Sequence, residues 1–581
     1  MLKPTHRHIE VPPRPDNLAR QPPRAAPSPV QSLAMPSRRD LLVSFLGLAA
    51  ANACRRARVQ PRPLSGGLVD TVHAVGHLLR GAPLPLAAED TSRHDVLIVG
   101  AGAAGLSAAW RLRGAGLHDF LVLEVDSDVG GTARAGRNAV SAFPWGAHYL
   151  PAPLDARGPV PRLLKELGVL TSVADDGSPV FDEAALIHEP EERLFFRGHW
   201  YEGLYLRAGA SDDDVSQLRR FESLTRALSS ARDARGRKAF AVPLEAGSDD
   251  AEWTHLDRLS MADWMAQQGF TSPRLLWLVD YACRDDYGAT AAHVSAWAGL
   301  WYFCARQSGG DTHDGFLSWP EGNGHLIHHL AAAAGRERLK PDTLVHTVEP
   351  ADSGWRVHAL DARTRAPLRF HARQVILATP RFVAARLVAP WRTSPPDFLS
   401  AFQYSPWVVA NLTLTSTPRS RGFPLAWDNV LYESHSLGYV VAAHQQLRAR
   451  SAGPTVWTWY YPLSGGDVVA ERRRALDATF EDWQQLVLAD LAPSHRGLLD
   501  AAERLDVMRW GHAMARPVPG FLWGDARRRA QVPLDGSLHF AHADLGGLPL
   551  FEEANWHGVR AAEAALGGLQ RTSPSWLDAS V

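Results

Sequence analysis

Gly100, Gly102 and Gly105, followed by Glu124, are the residues whose types and spacing prescribe chemistry most directly. A glycine at 100 allows a tight turn, Gly102 lets the backbone approach a pyrophosphate, and Gly105 lets a helix pack closely on a strand. Ala104 lies in the same turn, at a helix N-terminus whose free N–H groups favour phosphate. Glu124 stands where a carboxylate accepts both ribose hydroxyls, and its charge repels a 2′-phosphate. The implied ligand is an adenine dinucleotide without that extra phosphate.

The elements that must position these groups are legible around them. Residues 95–99 form a short apolar run of strand character, an alanine-rich helix follows the glycines, and a second apolar run, Phe120–Leu123, ends at the acid. Strand, turn, helix and strand make one βαβ unit. About six residues beyond Glu124, Gly130-Gly131-Thr132-Ala-Arg134 offers a second close backbone approach to a diphosphate.

With these residues the chain resembles the flavin-containing amine oxidase superfamily, which includes amine oxidases, protoporphyrinogen oxidases and phytoene or carotenoid desaturase-like enzymes. In that superfamily a Gly-Gly pair is followed by an arginine on the phosphate; here Thr132 follows directly and Arg134 comes two places later. The resemblance runs from about residue 95 to 566. Pro144-Trp145-Gly146-Ala147-His148-Tyr149 is similar to the segment that passes along the flavin ring, and Trp319-Pro-Glu-Gly322-Asn-Gly324 to a Pro-x-Gly-Gly turn that opens a helix. Residues 344–348 and 375–380 are similar to a strand pair in which Val345 would offer its backbone to the adenine. The segments ending at Asp544 and starting at Glu553 resemble the closing signature, with Ala543 where the family has glycine. There the resemblance implies Asp544 on the ribitol or phosphate, and a helix carrying Asn555 and Trp556 aimed at the flavin's pyrimidine oxygen.

The resemblance implies FAD as cofactor, and no cysteine or histidine stands out as a covalent tether, so binding is expected to be non-covalent. A flavin takes a hydride from a C–H beside nitrogen, oxygen or a double bond, while the protein supplies position, desolvation and charge. Many amine oxidases of the superfamily place a lysine near the flavin on the strand corresponding to residues 407–415, and this chain has none there. That absence favours desaturase-like or dehydrogenase chemistry, with an unidentified acceptor, over oxygen-dependent amine oxidation. Trp510 is the expected wall of the site, and His512 and His148 are the candidate acid–base groups, because imidazole exchanges protons near neutral pH.

The 581 residues exceed one ordinary core, so two interleaved domains are expected. With 61 basic and 62 acidic residues the formal net charge is −1, which gives no electrostatic case for nucleic acid. Three cysteines exclude a disulfide scaffold, and no Cys/His spacing suggests a metal; Cys283 and Cys304 read as small buried apolar residues. His73 and His77, four apart, lack a third ligand nearby.

Residues 1–34 are rich in proline and arginine without an apolar period. Ser37-Arg38-Arg39-Asp40-Leu41-Leu42 then precedes an apolar run over 41–53, which resembles a twin-arginine export signal. The run is too short to span a bilayer, and cleavage after Ala53 or lipidation of Cys54 would follow export, giving a periplasmic or anchored protein.

The expected fold class is α/β, a Rossmann-type FAD-binding domain interleaved with a mixed α+β substrate domain. The expected boundaries are an N-terminal signal region at 1–54, a linker with a short helix at 55–91, FAD-binding segments at 92–163, 319–390 and 516–570, substrate segments at 164–318 and 391–515, and a tail at 571–581. In the linker, Leu68, Val72, Val75 and Leu79 predict a helix over 66–81. Trp297 and Trp301, at i and i+4 of an aromatic run, share a helix face and read as core. The expected function is an exported FAD-dependent oxidoreductase acting on a small or medium organic substrate, with amines among the candidates. A flavin-binding assembly partner and an NAD-linked dehydrogenase are the alternatives, and the second Gly pair and the closing segments argue against the latter.

Overall fold

The computed structural model describes residues 63–580 apart from 71–72, 154–155, 176, 306–314 and 445–452. The expected signal at 37–54, with Cys54, lies outside the described residues.

Two sheets organise the chain, each assembled from segments distant in sequence. In the first, Ser92–Val99 lies between Phe120–Leu123 and Pro367–Leu377, parallel to both, and Leu339–Lys340 extends the edge beside Phe120–Leu123. Val96, Leu97 and Ile98 are wholly buried, as a strand covered on both faces requires. Trp355–Asp361 and Thr343–Pro350 continue the sheet antiparallel, and Leu538–Phe540 joins the end of Pro367–Leu377 from more than 160 residues away.

Helix Ala103–Gly114 packs against Gly324–Ala334 and against the closing helix Phe551–Gly568. The last contact is close because Gly558 has no side chain: a Cβ there would sit 2.2 Å from the Ala104 carbonyl oxygen. Asn555 Nδ2 donates to Ser107 Oγ at 2.8 Å across the same contact. The front turn and the closing helix are therefore one packing unit.

The second sheet has eight strands in the order Ser65–Leu68, Ala502–Ala515, Tyr404–Leu414, Thr455–Pro462, Gly438–Val441, Asp428–Leu431, Glu192–Phe196 and His199–Glu202. Tyr404–Leu414 is buried along its whole length. A helical lobe completes this part of the chain, with Asp212–Ser230, Met261–Gln267, Pro273–Tyr287 and Ala296–Cys304. Ser211 and Asp214 start the first of these as a reciprocal cap, each side chain accepting the other's backbone N–H. Trp297 and Trp301 are fully buried, Trp297 against Phe240 at 5.2 Å and Trp301 donating Nε1–H to the Ala241 carbonyl at 2.9 Å. Truncating either to alanine is expected to cost about 3–5 kcal/mol.

The helix expected over 66–81 is replaced by the strand Ser65–Leu68 and two single turns, His73–Gly76 and His77–Arg80. Pairing with the open edge of Ala502–Ala515 outweighs the helical spacing. Gly66 is essential to that register: at φ +113° its position for a Cβ lies 1.9 Å from the Leu505 carbonyl oxygen.

The architecture is α/β, a Rossmann-type sheet interleaved with a mixed α+β substrate domain.

Candidate active site

The glycine turn is built around close contacts. Gly100 has φ +101°, and a Cβ there would lie 2.6 Å from the Ala378 carbonyl oxygen; a Cβ at Gly105 would lie 1.9 Å from the Gly100 oxygen. Gly102 differs, since the nearest atom to its added Cβ is Gly131 Cα at 4.0 Å. The glycine at 102 is thus not demanded by the protein's own packing, which leaves close ligand approach as its physical reason.

Glu124 closes the turn. Its Oε2 accepts the Ala101 N–H at 2.7 Å and its Oε1 the Asp126 N–H at 3.0 Å. Burial raises its pKa while these donors oppose the rise. The Glu124 carbonyl accepts the Thr343 N–H at 2.7 Å, which places buried Val345 two residues along the adjoining strand. Gly130 donates its N–H to Ala101 at 2.8 Å, so the second glycine pair leans on the first turn. Arg134 pairs with Asp126 at 2.8 Å and its guanidinium lies 5.7 Å from the Trp510 ring centroid.

The segment from Pro144 to Tyr149 is held by five successive carbonyls, each bonded to a different segment. Asn411 Nδ2 donates to Pro144 at 3.0 Å, Trp510 Nε1 to Trp145 at 2.6 Å, and Tyr460 OH to Gly146 at 3.0 Å. The Asn323 N–H donates to Ala147 at 3.1 Å and Ser318 Oγ to His148 at 2.9 Å. Small residues are required where this segment meets its neighbours: a Cβ at Gly146 would lie 2.1 Å from the Thr132 oxygen, and one at Gly322 2.7 Å from that of Ala147. Ala147 remains exposed at the cavity wall.

That wall bounds a cavity with about 840 Å³ of empty space, its open mouth included. Thr132, Gly146, Ala147 and His148 form one side; Trp407, Val409, Tyr460 and Trp510 belong to the strands of the second sheet. Leu550, Phe551 and Glu552 bring the N-terminus of the closing helix to the same space. The helix dipole there favours partial negative charge on a ligand. Trp407, Tyr460 and the carboxyls Asp285 and Asp286 were not singled out from sequence. For the first two, strand alternation was the available signal; for the acids there was none.

His512 does not line the cavity. Ser405 and Trp407 pair with Met514 and Trp510, so two extra residues bulge out of the longer strand and break the alternation that would put 510 and 512 on one face. His512 instead stacks on Phe382 at 4.1 Å. Burial, with the charges of Arg472 and Arg80, lowers its pKa to about 3.

Asp544 is also off the lining, with no accessible surface. It accepts from Tyr404 OH at 2.7 Å and the Arg381 N–H at 2.8 Å, and His542 Nδ1 lies 3.2 Å away. Burial alone would raise its pKa, but His542, the Arg381 charge and the tyrosine hold it down to about 2. Asn555 is fully buried in its bond to Ser107, and Trp556 is half-buried.

The residues fit a flavin dinucleotide: a glycine cradle open at Gly102, an acid at the end of the second strand, a wall of small residues facing aromatic rings, and a helix N-terminus at one side. Among solved structures, a putrescine oxidase bound to putrescine superposes with TM-score 0.59 at 17% identity, over 82% of this chain and 100% of the other. Cyclohexylamine oxidase from Brevibacterium oxydans IH-35A gives 0.58 at 17% identity, over 82% and 100%, and a fatty acid isomerase from P. acnes 0.56 at 15%, over 80% and 97%. At these identities the likeness shows the fold. Thiamine thiazole synthase from Aeropyrum pernix (strain ATCC 700893 / DSM 11879 / JCM 9820 / NBRC 100138 / K1) is 40% identical over 77 residues, 13% of this chain; the match spans 24% of that relative. The family described as flavin containing amine oxidoreductase matches residues 103–566, and the chain belongs to that family of FAD-dependent oxidoreductases.

Proposed function

We propose that this protein binds FAD non-covalently and oxidises a small or medium amine at the carbon next to nitrogen. The observation that carries the reading is the aromatic cavity between Gly146–Ala147 and Trp407, Tyr460 and Trp510, reached by the closing helix and carrying Asp285, Asp286 and Glu552 on its lining. Carboxyl groups in an aromatic cavity favour a cationic or nitrogen-bearing substrate over an anionic one.

When bound there, the flavin supplies the hydride acceptor. The chain's own groups do the rest. Trp407, Tyr460 and Trp510 exclude water and restrict the substrate's orientation. His148, packed on Tyr460 at 4.7 Å between centroids, is the imidazole on the lining and takes the proton an ammonium must lose before oxidation. Support for non-covalent binding comes from the lining, which among the described residues holds no cysteine; Cys283 and Cys304 are buried in the helical lobe. Among the described residues the lining also holds no lysine, which supports an acceptor other than oxygen.

We also infer export to the periplasm through the twin-arginine route, from Arg38 and Arg39 ahead of the apolar run, with cleavage or lipidation at Ala53–Cys54. No helix among the described residues is long and apolar enough to cross a membrane.

Anaerobic mixing of the purified protein with an amine panel tests the catalytic reading. Loss of flavin colour with amines, and its return with an artificial acceptor faster than with oxygen, is expected. Persistent colour with every amine contradicts it. For export, Arg38→Lys with Arg39→Lys should leave precursor in the cytoplasm; unaltered export contradicts that part.

A further inference from the structure

The strand Ser65–Leu68 and the turns His73–Gly76 and His77–Arg80 precede the stretch matched by the family, yet they touch both sheets. Ser65–Leu68 pairs with residues 504–507 of the second sheet, the Val69 N–H donates to the Val507 carbonyl at 2.8 Å, and Asp70 pairs with Arg509. Val69 also packs on a cluster of Phe143, Trp145 and Met508. Leu79, by contrast, packs on the core of the nucleotide-binding sheet, the cluster that holds Val99, Leu123 and Val345.

This placement brings cations together. Arg80 is exposed and close enough to Arg472 and His512 for its charge to lower both, and Arg472 acts likewise on buried Arg516. Among the described residues no carboxylate pairs with Arg80, Arg472 or Arg516. Arg472 donates to the Gly511 and Tyr404 carbonyls at 2.6 and 3.3 Å, and Arg516 to Ser405 Oγ and the Gly288 carbonyl at 3.0 and 3.2 Å. The acids next to them in sequence are already paired, Asp70 with Arg509 and Glu471 with Arg474. Like charges gathered without a counter-charge oppose folding, and an anion bound beside them removes that cost.

The cluster adjoins the glycine turn. The Cβ position of Gly100 lies 3.4 Å from Thr379 Cγ2, and three residues beyond Thr379 the Phe382 ring stacks on His512. The Thr379 hydroxyl is buried there with no hydrogen-bond partner among the described residues. Gly100 and Thr379 follow the carboxyl ends of strands Ser92–Val99 and Pro367–Leu377, the end of a parallel sheet at which dinucleotides bind.

We propose that His73–Arg80 is part of the coenzyme site, with Arg80 and Arg472 supplying positive charge to the phosphates of FAD, so that loading fastens this segment across the two sheets. The inference rests on the glycine turn as the FAD site. It adds a contribution from residues ahead of the family's own stretch, and a coupling between coenzyme loading and order at 73–80.

The protein, stripped of flavin, is titrated with FAD at low and high salt by the quenching of flavin fluorescence, and hydrogen exchange over 73–82 is followed with and without FAD. Arg80→Gln should bind FAD about tenfold more weakly than wild type at low salt and lose less affinity as salt rises. Arg80→Lys keeps the charge and should stay within about threefold of wild type. FAD should slow exchange over this segment in wild type and not in Arg80→Gln. Equal affinities, a loss in Arg80→Lys as large as that in Arg80→Gln, or exchange that FAD leaves unmoved in wild type overturns the proposal while the glycine turn stands. A wild type that takes up no FAD overturns the turn's role and this inference together.

Discussion

Trp510 donates its indole N–H to the Trp145 carbonyl at 2.6 Å, tying the long strand Ala502–Ala515 to the segment 144–149. It is one of five consecutive carbonyl anchors between Pro144 and His148, so the small-residue wall is fixed by parts of the chain on several sides.

Trp510→Phe keeps a ring on the wall and removes the donor. Leaving the Trp145 carbonyl unpaired is expected to cost about 1–3 kcal/mol. Thermal melting should shift down accordingly, and anaerobic flavin reduction should slow as the wall loosens. Unchanged melting and reduction would mean that the bond does not hold the two parts together.

Two glycines of the same turn should fail differently. Gly105→Val places atoms against the Gly100 carbonyl, only 1.9 Å from the first added carbon, so the variant should be poorly folded by circular dichroism. Gly102→Val meets no protein atom closer than 4.0 Å at its Cβ, so it should fold and lose flavin. Normal flavin content in a folded Gly102→Val protein would remove the phosphate role from this turn.

Asp544→Asn is expected to destabilise by about 3–5 kcal/mol, because it strips the counter-charge from a buried guanidinium. Arg381 is wholly buried with Asp544 as its ion-pair partner at 3.8 Å. The native carboxyl, held at about 2 against an ordinary 3.8, contributes stability above pH 3.8 that is lost as pH falls through 2. Urea unfolding of both proteins at several acidic pH values reads the difference, which should narrow toward pH 2.

Glu553 gives the opposite slope. Burial raises its carboxyl from 4.5 to about 8, against the pull of the Leu244 N–H and Arg527. Its contribution is therefore fully present below pH 4.5 and is lost as pH rises through 8. Glu553→Gln keeps an oxygen for the Leu244 N–H and removes the titration, so its stability should fall less than that of wild type over this window. Parallel urea-midpoint curves would refute the assignment.

His512→Asn should leave the pH profile of flavin reduction unchanged across the neutral range. The imidazole is off the cavity lining and already neutral there, with its pKa lowered to about 3. A lost or shifted limb in the profile would return His512 to the proton pathway.

The nucleotide-binding part was legible because its constraints are local. Gly100 to Glu124 spans a single βαβ unit, so its strands, turn and helix are each marked by neighbouring residues. The segment 144–149 and the closing helix were recognisable by resemblance, and both meet the cavity. His512 was misread because a bulge cannot be inferred from alternation within one strand. Ser65–Leu68 was misread because its partner, the edge at Arg504–Val507, lies more than four hundred residues away.

The most direct measurement is the flavin content and thermal melting of purified wild-type protein and Gly102→Val, each before and after incubation with FAD. A yellow wild-type protein that binds one FAD per chain and melts higher when loaded is predicted, beside a folded, colourless variant whose melting FAD does not change. A folded wild-type protein that stays colourless and takes up no added FAD would contradict the cofactor site on which the proposed chemistry depends.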